Sequence, residues 1–284
     1  MDFTSPLAAL FIAIVVWWLS TGIVLFAVNQ AEAGSGGLWK LMVPMTCVGI
    51  IGFALMVIGS EHKTPMGSYM GFFGALFVWS WHEAAFLTGA LTGSRRTECP
   101  PGLSGWGRFR AAWEAVCDHE IAILLTGMGL WLALAGADNL FGLAAFGLLW
   151  GMRISAKLLI FLGAPHAISE MMPRRIAHLK SYFNTTRTTP LFPLLLAVAM
   201  GLLIVLVAGA MRSTEDYSLV GHTLLAAFMA LAIVEHVVLV LPVSDTALWR
   251  WAMAKPAVQA ISGEARMGQR GRQRHRSEHP SNKQ

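Results

Sequence analysis

The sequence predicts an all-α integral membrane protein, a bundle of about seven transmembrane helices. Hydrophobic residues make up 55% of the 284 positions, charged residues only 13%, and the apolar residues gather in long runs. A hydrocarbon core of about 30 Å takes roughly 20 helical residues. The first run, 7–28, is no cleavable signal, because its apolar core is too long and no lysine or arginine precedes it. The second and third, 41–59 and 68–91, flank a short segment containing Lys63. The fourth, 115–136, is entered through GLSGWGRFRAAWE, where Trp106, Phe109 and Trp113 alternate with Arg108 and Arg110. That segment reads as a short helix lying in the membrane interface and leading into the span. The fifth, 140–162, ends at the longest loop, Gly163 to Pro190, and the sixth and seventh cover 191–211 and 219–241.

Orientation follows from lysine and arginine, which cytoplasmic loops retain in excess. Arg95, Arg96, Arg108 and Arg110 lie between spans 3 and 4. Arg174, Arg175, Lys180 and Arg187 lie between spans 5 and 6, and eight more basic residues run from Arg250 to Lys283. Only Lys63 and Arg212 fall on the other side. Seven spans with the basic loops inside put the N-terminus in the periplasm and the C-terminus in the cytoplasm of a bacterial inner membrane. The formal net charge of +5 then reads as topology and contact with anionic lipid, with no nucleic-acid partner. Residues 1–260 form one polytopic domain. The tail 261–284 has almost nothing to bury and reads as a disordered basic cytoplasmic segment. Cys47, Cys99 and Cys117 are too scattered for a disulfide framework.

The chemistry concentrates at one depth. Span 3 runs inward, so His82 and Glu83 lie roughly 12 to 14 Å from its cytoplasmic end. Asp118, His119 and Glu120 occupy the start of span 4. Arg153 and Lys157 lie one turn apart on span 5, and Glu235 and His236 lie on span 7. Four helices thus bring ionisable groups into the cytoplasmic half, where each would cost a few kcal/mol if left in lipid. They are expected to face one another. One arrangement pairs Arg153 with Glu120 or Glu235 as a structural ion-pair network. The excess of acid over base equally suits a bound divalent metal ion, or a tetrapyrrole ligated by one of the histidines. Against the usual helical di-metal site stands the spacing: that site uses Glu-x-x-His, whereas HE, HE and EH are adjacent and about 100° apart. The loop 163–190 carries a short amphipathic helix between Pro173 and Pro190. Its Met171, Met172, Leu179, Tyr182 and Phe183, beside Arg174, Arg175 and Lys180, suit a docking surface or a lipid anchor.

Five stretches occur in order: SWHEAAFLTGALTGSRR, CPPGLSGWGRFRAAWEAVCDHE, LLWGMRISAKLLIFLGAP, HLKSYFNTTRTTPLFP and VEHVVLVLPVSDTALWRWA. Over about residues 7 to 255 they resemble the photosynthetic complex assembly protein 2 family, called PuhE, of phototrophic purple bacteria and their relatives. The resemblance implies a membrane assembly factor for the photosynthetic reaction centre and core light-harvesting complex, one that influences bacteriochlorophyll production or delivery. Reaction-centre and light-harvesting subunits, or other assembly factors, are then the expected partners. It carries over no catalytic or ligand residue. Bacteriochlorophyll or a divalent metal ion remain the cofactors that the polar cluster suits. The alternative is a membrane-embedded metal-dependent enzyme acting on a lipid-soluble pigment precursor, for which three histidines and four carboxylates suffice in kind.

Overall fold

A computed structural model of the chain describes residues 3–33, 38–167, 172–242, 249, 251 and 252. Seven α-helices follow in order: α1 (Pro6–Ala33), α2 (Trp39–Ser60), α3 (Pro65–Leu87), α4 (Gly105–Ala133), α5 (Phe141–Leu162), α6 (Leu191–Arg212) and α7 (Asp216–Val238). A 3-10 helix at Arg174–Tyr182 precedes α6, and the described residues contain no strand. All of these helices except α3 are long and apolar enough to cross a membrane, which makes six and a multi-pass membrane protein. The tail 261–284 lies outside the described residues, as does Met171.

Helix α3 differs because of where it sits. It packs on α2, α5, α7 and α1, and Gly67, Ser68, Gly71 and Gly74 are among its many buried residues. A helix covered by neighbours need not be apolar all round. Small residues also let neighbouring backbones approach, which is how membrane helices gain packing where no hydrophobic driving force separates helix from lipid. Two crossings show this. A Cβ on Gly52 of α2 would stand 2.7 Å from the Gly74 carbonyl oxygen, and one on Gly142 of α5 would stand 2.8 Å from the Gly71 Cα. Around these contacts lies the main core, in which Phe72 and Phe228 meet edge to face at 4.5 Å.

Local signals set the ends of α3. Thr64 caps its start by accepting from the Gly67 N–H at 3.1 Å, with Pro65 in the first turn. Its end comes at Leu87, short of the expected residue 91, because the chain turns at Gly89 with φ 72°. That backbone region suits glycine alone at little cost.

The interfacial helix expected as a separate element is instead the first part of α4, which runs unbroken for 29 residues. Nothing between Trp106 and Val116 interrupts it, and Arg108 ties it down. The guanidinium donates to the Phe161 carbonyl at 3.1 Å and to the Tyr182 carbonyl at 2.7 Å, and lies 4.4 Å over the Phe161 ring. It thereby meets the carbonyl end of α5, where positive charge is favourable.

The loop after α5 also spends its apolar side chains internally. Ile176, Leu179 and Tyr182 are buried against Phe86, Ala111 and Ala115, with Met172 packed on the same cluster. The Tyr182 hydroxyl accepts from Arg95 Nε at 2.9 Å and donates to the Thr97 carbonyl at 3.1 Å. Leu179 and Tyr182 are therefore not available as the docking surface the loop suggested, because they complete the core beneath the α3–α4 connection.

At the opposite end of the bundle, Asn139 bridges the loops by donating to the His62 carbonyl at 3.1 Å, while Ser68 donates to the Tyr217 carbonyl at 2.8 Å. Lys63 pairs there with Asp138 at 2.7 Å. The hydrogen bond to Asp138 and its negative charge hold the ammonium pKa above the ordinary lysine value.

Candidate functional site: an ion-paired cavity between the helices

In each His-Glu neighbour pair the two side chains part company, as a 100° step around a helix requires. The imidazoles of His82, His119 and His236 are buried between helices at 1, 0 and 3% exposure. The carboxylates of Glu83, Glu120 and Glu235 instead line a cavity of about 770 Å³, together with Arg153 and Lys157. Helices α1, α3, α4, α5 and α7 form its walls with the 3-10 helix.

Two ion pairs cross that cavity. Arg153 of α5 donates through Nη2 to Glu83 Oε2 of α3 at 2.9 Å. One turn on, Lys157 donates to Glu120 Oε1 of α4, and its ammonium lies 4.8 Å from the centre of the Phe86 ring. Arg153 thus pairs with Glu83, not with Glu120 or Glu235 as the sequence suggested. The reason is azimuth: the i, i+4 spacing keeps both cations on one face of α5, and each reaches the nearest acid on a different neighbouring helix. Glu235 of α7 accepts at 2.9 Å from Trp17 Nε1 of α1.

The histidines serve the helix contacts. His236 Nδ1 lies 2.8 Å from the Ala232 carbonyl, which can only accept, so a neutral ring carries its proton there. Its Nε2 lies 2.6 Å from the Ser155 hydroxyl of α5, which itself donates to the Met152 carbonyl at 2.8 Å. His82 Nε2 meets Thr126 Oγ1 of α4 at 3.0 Å, and the His82 and His119 rings stand 6.2 Å apart, edge to face. His82 Nδ1 and both nitrogens of His119 have no hydrogen-bond partner. Asp118 does not join the group. It is exposed, and among the described residues its carboxylate accepts only the Cys117 thiol at 3.5 Å. Adjacency to His119 placed it at the right depth but on the wrong side of α4.

The cofactors suggested by the sequence were a divalent metal and a histidine-ligated pigment, and neither fits this donor set. Among the described residues no three His, Cys, Asp or Glu side chains converge to hold a metal ion. None of His82, His119 and His236 lines the cavity, so none presents an axial ligand to a molecule inside it. What the cavity does offer is a largely apolar and aromatic lining with two fixed ion pairs on its wall.

Sequence reasoning confined to charged residues missed Trp17, Thr126, Trp150 and Ser155. A usable signal was present for two of them, since Thr and Ser in the interior of apolar spans are themselves groups that seek partners across helices.

The chain matches a family described as "Protein of unknown function (DUF3623)" over residues 3–260. It is also 33% identical over 260 residues to a Rhodobacter capsulatus protein described as "Uncharacterized 30.4 kDa protein in puhA 5'region". That alignment covers 90% of this chain and 93% of the relative. No solved structure matches. With a family match across almost the whole described bundle and a relative aligned over nine-tenths of the chain, the chain belongs to the DUF3623 family.

Proposed function

We propose that this protein is a PuhE-type accessory factor of the bacterial photosynthetic apparatus, assisting assembly of the reaction centre and core light-harvesting complex. One observation carries this reading: the Rhodobacter capsulatus relative, aligned over 93% of its length, lies in the 5' region of puhA, a photosynthesis gene. The ordered stretches that resemble the PuhE family support it independently. The protein crosses the inner membrane seven times, α3 included, with its N-terminus in the periplasm. Its basic loops contact anionic lipid, and its partners are reaction-centre and light-harvesting subunits or other assembly factors. Bacteriochlorophyll supply is affected through those partners. The cavity's lack of a histidine on its wall supports that indirect route over ligation by this chain.

Deleting the gene in a phototrophic host tests the reading. The near-infrared absorption of the core complex should fall, pigment not bound to protein should accumulate or its synthesis decline, and the intact gene supplied in trans should restore the spectrum. A deletion strain whose core-complex spectrum equals that of the parent sinks the proposal.

A further inference from the structure

Helix α1 meets two different surroundings in its C-terminal half. On one side Trp17, Ser20, Thr21, Val24 and Leu25 line the cavity. On another, Trp18, Gly22 and Asn29 stand within about 40° of one another around the helix axis, at i, i+4 and i+11. These three residues hold the chain that comes back after α7. The Trp249 indole donates from Nε1 to the Trp18 carbonyl at 3.2 Å, and the Asn29 amide donates from Nδ2 to the Ala252 carbonyl at 2.9 Å. The Trp251 ring meets the Trp18 ring edge to face at 5.9 Å and lies on the helix at Gly22, where an added Cβ would stand 2.1 Å from it. Trp249 and Ala252 are buried as deeply as the core between the helices, at 4 and 1% exposure.

One side chain joins the two surroundings. Trp17 lines the cavity, donates to Glu235 at 2.9 Å and meets the Trp249 ring edge to face at 5.3 Å. The connection matters because of what lies behind α1. A helix face turned to a cavity has no partner atoms there and forgoes the dispersion contacts that a packed neighbour would give. From Trp17 to Leu25, about two turns, the position of α1 therefore depends on what holds its other side, where Trp249 and Trp251 sit. Asn29 adds to that hold, because its amide satisfies a carbonyl that hydrocarbon could not. The contacts of Trp249, Trp251 and Ala252 are hydrogen bonds and ring edges, each weak by itself, and Trp251 keeps 46% exposure. A segment held in this way can let go without unfolding the bundle.

We infer that Trp249, Trp251 and Ala252 form a strap that fixes the α1 wall of the cavity, and that release of the strap lets α1 move outward and widens the cavity. Trp249 is then a positioning residue, acting on the cavity through Trp17, and Gly22 is the seat without which Trp251 cannot lie flat. Access to the ion-paired cavity is governed by the chain's own C-terminal segment. The inference does not rest on the assembly role, since the movement of α1 is read on purified protein without any photosynthetic complex.

The test uses the full chain in phosphatidylcholine nanodiscs, with Cys47, Cys99 and Cys117 replaced by serine and spin labels on Phe26→Cys of α1 and Leu125→Cys of α4. Both positions are exposed and outside the cavity lining. Electron-spin double resonance then reads the distance between the two walls. With the strap intact one distance should dominate. Trp249→Ala removes a ring and a hydrogen bond of the strap, and should add a population at longer distance. Gly22→Ala removes nothing from the strap but displaces Trp251, whose exposed ring can turn away without blocking folding, and it should shift the distribution in the same direction. Gly201→Ala on α6, with nothing within 4 Å of an added Cβ, should match the parent. Melting followed by circular dichroism separates the strap from a merely stabilising segment, which would lower the melting temperature and leave the distance in the folded protein where it was. If Trp249→Ala does not fold, Gly22→Ala decides alone. An unchanged distribution in a folded strap variant, or an equal shift in Gly201→Ala, would overturn the inference.

Discussion

Arg153 and Glu83 meet at 2.9 Å from helices 70 positions apart in the chain, and the acid's sequence neighbour, His82, points elsewhere. Side chains on consecutive helical residues diverge by about 100°, so an HE pair in a bundle addresses two environments. The imidazole enters a helix contact and the carboxylate enters the cavity. Pairing by nearest helix makes the couplings specific. Arg153→Leu should destabilise the protein by roughly 2 to 4 kcal/mol, somewhat below the loss for a fully buried pair because the arginine side chain is 37% exposed. Adding Glu83→Gln should recover part of that loss, whereas adding Glu120→Gln, whose acid is held by Lys157, should be close to additive. Thermal melts of the single and double variants in detergent decide between these outcomes. Equal coupling of Arg153 to both acids would mean one shared network in place of two pairs.

Helix α3 organises the bundle because its glycines let α2 and α5 come close on different faces. The contact between Gly71 and Gly142 is backbone against backbone, so an added methyl group has no flexible neighbour to displace. Gly142→Ala should therefore lower stability by about 1 to 3 kcal/mol, the usual cost of overpacking. Gly147 lies on the same helix with nothing within 4 Å of an added Cβ. Gly147→Ala should be neutral or stabilise by up to about 1 kcal/mol through helix propensity. Melting temperatures of the two variants side by side check this, and a loss at Gly147 equal to that at Gly142 would show that the effect is not one of packing. The 3-10 helix illustrates the converse. Its composition suits a free amphipathic surface, yet Ile176, Leu179 and Tyr182 are consumed by the core under the α3–α4 connection.

For the molecule as a whole, the arrangement of basic loops is what the proposed N-terminus-out topology rests on, and that proposal has a direct check. Reporter fusions after Arg96, Arg187 and Lys255 should report cytoplasm, and fusions near Glu61, Asp138 and Asp216 should report periplasm. A reversed result at any two of these sites would invert the bundle or change its number of crossings. Among the described residues the two ends also differ in how they are closed. The basic end is laced by Arg95 and Arg108 to carbonyl and hydroxyl groups, and the other by neutral Asn139 and Ser68 with one exposed ion pair.

By itself the sequence determined that the chain is helical and membrane-embedded, and roughly where each helix runs, because hydrocarbon penalises every unpaired backbone and charged group and so writes the spans into composition. It also determined the depth of the polar groups, since rise per residue converts position into distance along a helix. The tertiary structure alone decided which way each helix is rotated and which helix stands beside it. Those choices depend on contacts between residues far apart in the chain, such as Gly52 with Gly74 and Gly71 with Gly142. They turn Asp118 outward, separate three histidines from three glutamates, hand Glu83 rather than Glu120 to Arg153, and bring Trp17 of the first helix to Glu235 of the last. A cavity is the space left between such rotations, so no single segment encodes it.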